Sequence, residues 1–163
     1  MLSKHVTLEE ALDLLDLEDV SKLQEAEKKG FIQPANRNSK KESFLIQDLV
    51  TLKLAFAIED MGLVPERAIR YAEAILGVHS SQIFNKTIAW VESDTHELFG
   101  MFADKQLSRI FIRSLDDNRE IEVGAEKPVL FPTTRCELNV SRTVRPVITR
   151  TQQMMSSKKK QPK

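Results

Sequence analysis

The sequence predicts an α+β chain: an all-α N-terminal module at residues 1–78, a small β-rich module at 79–150, and a disordered basic tail at 151–163. Three observations carry this division. Before residue 77, apolar residues recur at helical spacing in four segments. Past His79 the segments shorten and fill with β-branched and aromatic residues. The end, SSKKKQPK, is polar and basic, as a solvated tail is.

The first helix announces itself at residues 7–10, where TLEE fits a capping box with Thr7 as cap and Glu10 reaching back. Leu8, Ala11, Leu12 and Leu15 then share one side. A second helix fits 18–29, with Leu17, Val20, Leu23 and Glu27 inward and Gly30 as its stop. The short break between the two is that of a helix-turn-helix. PANRNSKKES, at 34–43, is a polar loop or small hairpin wing. A longer helix at 46–61 ends at Gly62, and another starts at Pro65 and ends at Gly77.

In the second half KTIAWVE, ELFGMFAD, SRIFIRS and REIEVG have the length and composition of strands, and SLDDNRE reads as a hairpin turn. Pro128 and Pro132 bracket VLF. The segment NVSRTVRPVITR has helical spacing, although Pro146 opposes a helix interior; a terminal helix is expected there.

Composition narrows the function. The chain has 163 residues, 41% hydrophobic and 29% charged, enough for a packed core. Its 24 basic and 24 acidic residues cancel, so no whole-chain attraction to nucleic acid exists. The charge is uneven, however: from Pro132 onward four Arg and four Lys face Glu137 alone. One cysteine and three scattered histidines make no disulfide or metal-ligand pattern, so no metal or cofactor is expected. No apolar run has membrane-spanning length and no signal peptide is evident, so a cytoplasmic protein away from membranes is expected. No phosphate-cradling Gly loop or catalytic triad is present, and Glu25 and Glu27, two apart on a helix, do not face each other. An enzyme is not expected.

The N-terminal residues, about 5–76, resemble the winged-helix DNA-binding domain of the mercury-resistance-regulator (MerR) family. TLEEALDLL looks like that family's first helix. Leu23, Glu27, Gly30, Phe31, Ile32 and Pro34 match its second helix and exit, and Phe44 stands at a wing aromatic. DLVTLKLAFAIEDMGLVPERAI, at 48–69, resembles its third and fourth helices. The resemblance implies a dimer that docks on duplex DNA, with the second helix in the major groove and the wing on a phosphate. It assigns DNA contacts to Ser21, Lys22, Gln24 and Lys28 on the second helix, and to Arg37, Lys40 and Lys41 in the wing. Glu25 and Ala26 depart from the family, standing where it has Arg or aromatic residues that touch the DNA backbone.

Each assignment has a plainer counterpart. Gln24 is a reader of adenine edges or a solvent-facing polar residue; Arg37, Lys40 and Lys41 clamp a phosphate or solubilise a loop. The basic residues Arg135, Arg142, Arg145, Arg150, Lys158, Lys159 and Lys160 form a phosphate-contacting arm, with Arg142, Arg145 and Arg150 its contacts, or a solvated tail, or a holder of an acidic partner that includes the chain's own acidic N-terminal face. Trp90, Phe99, Phe102 and Phe111 are packing residues or, less simply, a nucleobase-stacking stripe. Cys136 is expected to be buried or half-buried. The function expected is a DNA-binding homodimer that regulates transcription. The alternative is a non-enzymatic protein–protein interaction module on a degenerate winged-helix scaffold, whose acidic second helix holds a basic protein partner.

Overall fold

Thr7 closes a short strand and opens the first helix. Its hydroxyl accepts from the Glu10 N–H at 3.3 Å, and the Glu10 carboxylate accepts from the Thr7 N–H at 3.0 Å. Two of the helix's four orphan donors are thereby satisfied within the chain. The computed structural model describes residues 2–35, 42–124 and 133–160. The order is β1 (His5–Thr7), α1 (Leu8–Leu15), α2 (Ser21–Lys28), β2 (Ser43–Leu45), α3 (Ile46–Asp60), α4 (Pro65–Leu76), α5 (Ser81–Glu92), β3 (His96–Ala103), β4 (Gln106–Ser114), β5 (Glu120–Gly124), β6 (Arg135–Asn139) and α6 (Val140–Lys160).

The predicted fold, an all-α part followed by a β-rich part, is overturned. The chain is α+β, but strands and helices interleave along it. β1 and β2 form an antiparallel pair inside the N-terminal region. α5, the largest departure, occupies the stretch containing KTIAWVE that was read as a strand. Its buried residues Phe84, Thr87, Ile88 and Val91 follow helical spacing, and Ser80 caps it by accepting from the Ile83 N–H at 3.5 Å. The period outweighs the β-branched and aromatic composition.

The chain divides into two units, the first running up to Lys53 and resuming at Pro146, the second Leu54–Arg145. Helices α3 and α6 each pass from one unit into the other.

In the first unit Val6 pairs with Phe44 across β1 and β2, and both side chains are buried. Ala35 bridges to Ser43 on the strand's other side, so the two ends of the expected wing are joined. Leu14, Leu15, Leu23, Ala26, Ile32 and Leu49 supply further buried apolar surface in this unit. α1 ends with Asp16 in the left-handed region, its N–H bonded back to Asp13 and Leu12. Residues 151–160, expected to be a disordered tail, continue α6; residues 161–163 lie outside the described ones.

In the second unit an antiparallel sheet runs in the order β5-β4-β3-β6. The β3–β4 turn places Asp104 and Lys105 at positive φ, the requirement of a two-residue hairpin of type I′. On one sheet face lie Leu98, Gly100 and Phe102, with the Tyr71 ring 5.9 Å from that of Phe102. On the other, Phe99 and Phe111 stack at 5.4 Å and the Arg113 guanidinium covers Phe99 at 4.3 Å. These three phenylalanines are buried, as packing residues are. The ladder between β3 and β6 passes directly into α6. Val140 is already helical, and the Ser141 hydroxyl accepts the Leu98 N–H at 2.8 Å where the next strand carbonyl would have stood.

Candidate nucleic-acid interface

The outer side of α2 is set by what its inner side must bury. Leu23 and Ala26 are 1% and 3% exposed, which leaves Ser21, Gln24, Glu25 and Lys28 on one solvent stripe, with Lys22 beside it. Ala26 therefore faces the core rather than the outer surface expected of it. Glu25 pairs with Lys29 at 2.8 Å, one turn on. That bond is the first cause of a carboxyl pKa below the ordinary value, so Glu25 stays an anion in the middle of the stripe.

The chemistry this stripe offers is specific in kind. The Gln24 amide has the adjacent donor and acceptor that match an adenine edge. Lys22 and Lys28 bring the positive charge that a phosphate contact needs. The first turn of α2 is already occupied by an anion: the Ser21 N–H donates to the Asp19 carboxylate at 2.7 Å, and the Ser21 hydroxyl first, then this N–H, hold Asp19 below the usual carboxylate range. Arg37, Lys40 and Lys41 lie outside the described residues.

The basic arm is a different matter. Arg142 donates to Glu97 at 3.1 Å; Glu97, whose side chain is 8% exposed, also accepts from Asn139 at 2.9 Å. Arg145 donates to the Val91 and Ser93 carbonyls, both at 2.8 Å, where α5 leaves its last carbonyls unpaired. Arg150 bonds the Asp16 carboxylate and, at 2.8 Å, the Asp13 carbonyl. Lys158 pairs with Glu10 at 2.6 Å. Arg150 and Lys158 thus bind the chain's own acidic N-terminal face, one of the readings the charge pattern left open. Arg142, Arg145 and Arg150 bond helix ends and a buried carboxylate.

An open cavity of about 340 Å³ in the second unit is lined by Met61, Leu63, Phe102, Asp104, Lys105, Thr134 and Cys136. Asp104 is spent on structure there, accepting from the Thr133 hydroxyl at 2.7 Å and from the Thr133 and Thr134 N–H groups. The Thr133 hydroxyl is the chief cause of its lowered pKa. Cys136 is exposed, against the burial expected of it. Trp90 is half-buried, with the Lys86 ammonium 5.1 Å from its ring. Among the described residues no group of three His, Cys, Asp or Glu side chains could hold a metal ion, and no helix is long and apolar enough to cross a membrane. The chain matches no protein-family model and, at a significant level, no curated protein.

Proposed function

We propose that this chain is a DNA-binding transcriptional regulator of MerR-like winged-helix type, acting as a homodimer, with α2 directed at the major groove of duplex DNA. The observation that carries the reading is the solvent stripe of α2, where Ser21, Gln24 and Lys28 line up beside Lys22 over a buried Leu23 and Ala26. The element order β1-α1-α2-β2-α3-α4, with β1 and β2 paired and Ala35 bridged to Ser43, supports it as the order of a helix-turn-helix followed by a wing. On this reading Lys22, Lys28 and the wing cations neutralise phosphates, and Gln24 reads a base edge. Arg142, Arg145 and Arg150 set the scaffold. No catalytic step and no cofactor enter, and the protein works in the cytoplasm. An anisotropy titration against duplex fragments of the source genome at two salt concentrations tests the reading. Salt-sensitive binding is the expected result; no binding at the lower salt rejects it.

One observation favours a second reading. Glu25 stays ionised on the α2 stripe and Asp19 occupies its first turn, an arrangement suited to a basic protein partner. In that case the same titration is silent toward DNA, and charge reversal at Glu25 disrupts a protein complex instead.

A further inference from the structure

β6 forms one edge of the four-stranded sheet, and among the described residues no strand pairs with its outer side. Its first three residues, Arg135, Cys136 and Glu137, are all exposed. The direction of its backbone groups follows from its pairing with β3. The Asp104 N–H donates to the Thr134 carbonyl at 3.2 Å. Antiparallel ladders alternate, so Thr134, Cys136 and Leu138 turn their N–H and C=O groups toward β3. Arg135 and Glu137 turn theirs outward. An edge with exposed donors and acceptors is a template for another strand.

We infer that this edge pairs antiparallel with β6 of a second copy about a two-fold axis at Cys136, joining the two sheets into one of eight strands. The register follows from two independent features. Hydrogen bonds require Arg135 and Glu137 to meet the partner's outward groups, and centring on Cys136 sets each Arg135 opposite the partner's Glu137, twice. Centring on Glu137 would oppose two glutamates, and centring on Arg135 two arginines; like charges directly opposite are destabilising. Glu137 already accepts from Arg113 at 3.1 Å through one oxygen, which leaves its other oxygen for the partner's Arg135. The far edge does not offer this match: the charged residues of β5 are Glu120 and Glu122, which self-pairing would bring together. The inference deepens the homodimer of the proposed function by naming its surface, and it does not depend on DNA binding.

The register makes the two Cys136 residues a directly opposed, non-hydrogen-bonded pair. In such pairs the Cα atoms lie roughly 4.5 Å apart, within disulfide reach. Cys136 is the chain's only cysteine, so any disulfide-linked dimer is joined through Cys136, and a preformed contact links faster than chance collision at the same protein concentration. The experiment uses the full chain with the oxidant diamide, which takes two electrons and two protons from the two thiols. The expected result is a rapidly formed covalent dimer, absent in Cys136→Ser. By sedimentation, Arg135→Glu and Glu137→Arg should each raise the dimer dissociation constant on the order of tenfold. Mixing the two variants should restore dimerisation, because each mixed contact then opposes unlike charges. A dimer that neither cross-links nor responds to these changes overturns the inference while leaving a homodimer in place. A monomer at every concentration removes both. If the variants fail to fold, cross-linking of the unaltered chain decides alone.

Discussion

The Arg150 guanidinium bonds the Asp16 carboxylate at the C-terminal end of α1, although the two residues are 134 positions apart. The same guanidinium also donates to the Asp13 carbonyl at 2.8 Å. Lys53 completes the site, donating to Asp16 at 2.7 Å and to the Leu15 carbonyl at 2.9 Å. Two cations therefore stand where a helix leaves carbonyls unpaired and its dipole is negative. This is the turn that leads into α2, so the setting of the candidate reading helix depends on it.

Arg150→Ala is expected to lower stability by about 1 kcal/mol, the upper end for solvent-exposed ion pairs and below the range for buried charged hydrogen bonds, because both side chains are partly solvated. Thermal denaturation measures this. DNA affinity of the folded variant should stay within about twofold of the parent on the salt-bridge reading; a tenfold loss would return Arg150 to the phosphate-contacting set.

Acid should reveal the same site. Bonds from Lys53 first, then Arg150, hold the Asp16 pKa below its ordinary value. The folded value thus lies below the unfolded one, so the contribution is complete above the unfolded pKa and is lost as pH falls through the folded value. The difference in Tm between the parent and Asp16→Asn should be present at neutral pH and shrink below about pH 4. A difference that persists unchanged in acid would contradict this.

Ser141→Ala strands the buried Leu98 N–H at the point where β6 gives way to α6. The expected cost is about 1–3 kcal/mol, read from the urea midpoint, with Ser141→Thr far milder.

Gly77 ends α4 at φ 68°, and a methyl there would come 2.3 Å from Ile83 Cγ2 and 2.9 Å from its Cβ. Both backbone strain and overlap oppose a side chain. Gly77→Ala should cost about 2 kcal/mol, whereas Gly62→Ala, also at positive φ but in open space, should cost about half as much.

Some of this was legible in the sequence because it is local. The Thr7–Glu10 box, Pro65 at the start of α4, and Gly77 at its end are signals within a few residues. Other features were not. β1 and β2 are three residues each, too short to display a period, and only their mutual pairing defines them. In α5 the composition of Ile88, Trp90 and Val91 suggests a strand, whereas the spacing of Phe84, Ile88 and Val91 behind Ser80 is the signal of the helix. The partners of Arg142 and Arg150 lie 45 and 134 residues away, so charge could be counted but not paired. On α2 Leu23 marks the inner side, while Ala26, a small residue with little burial signal of its own, does not declare in the sequence that it is buried.

The central claim is that α2 carries DNA recognition. Its most direct test is the triple variant Lys22→Ala, Gln24→Ala, Lys28→Ala, titrated against a bound duplex over a range of salt. All three side chains are exposed, so the variant should fold as the parent does. The account predicts at least a roughly tenfold loss of affinity and a salt slope shallower by about one for each lysine removed. Unchanged affinity and slope would contradict it and move the function of this helix to another partner.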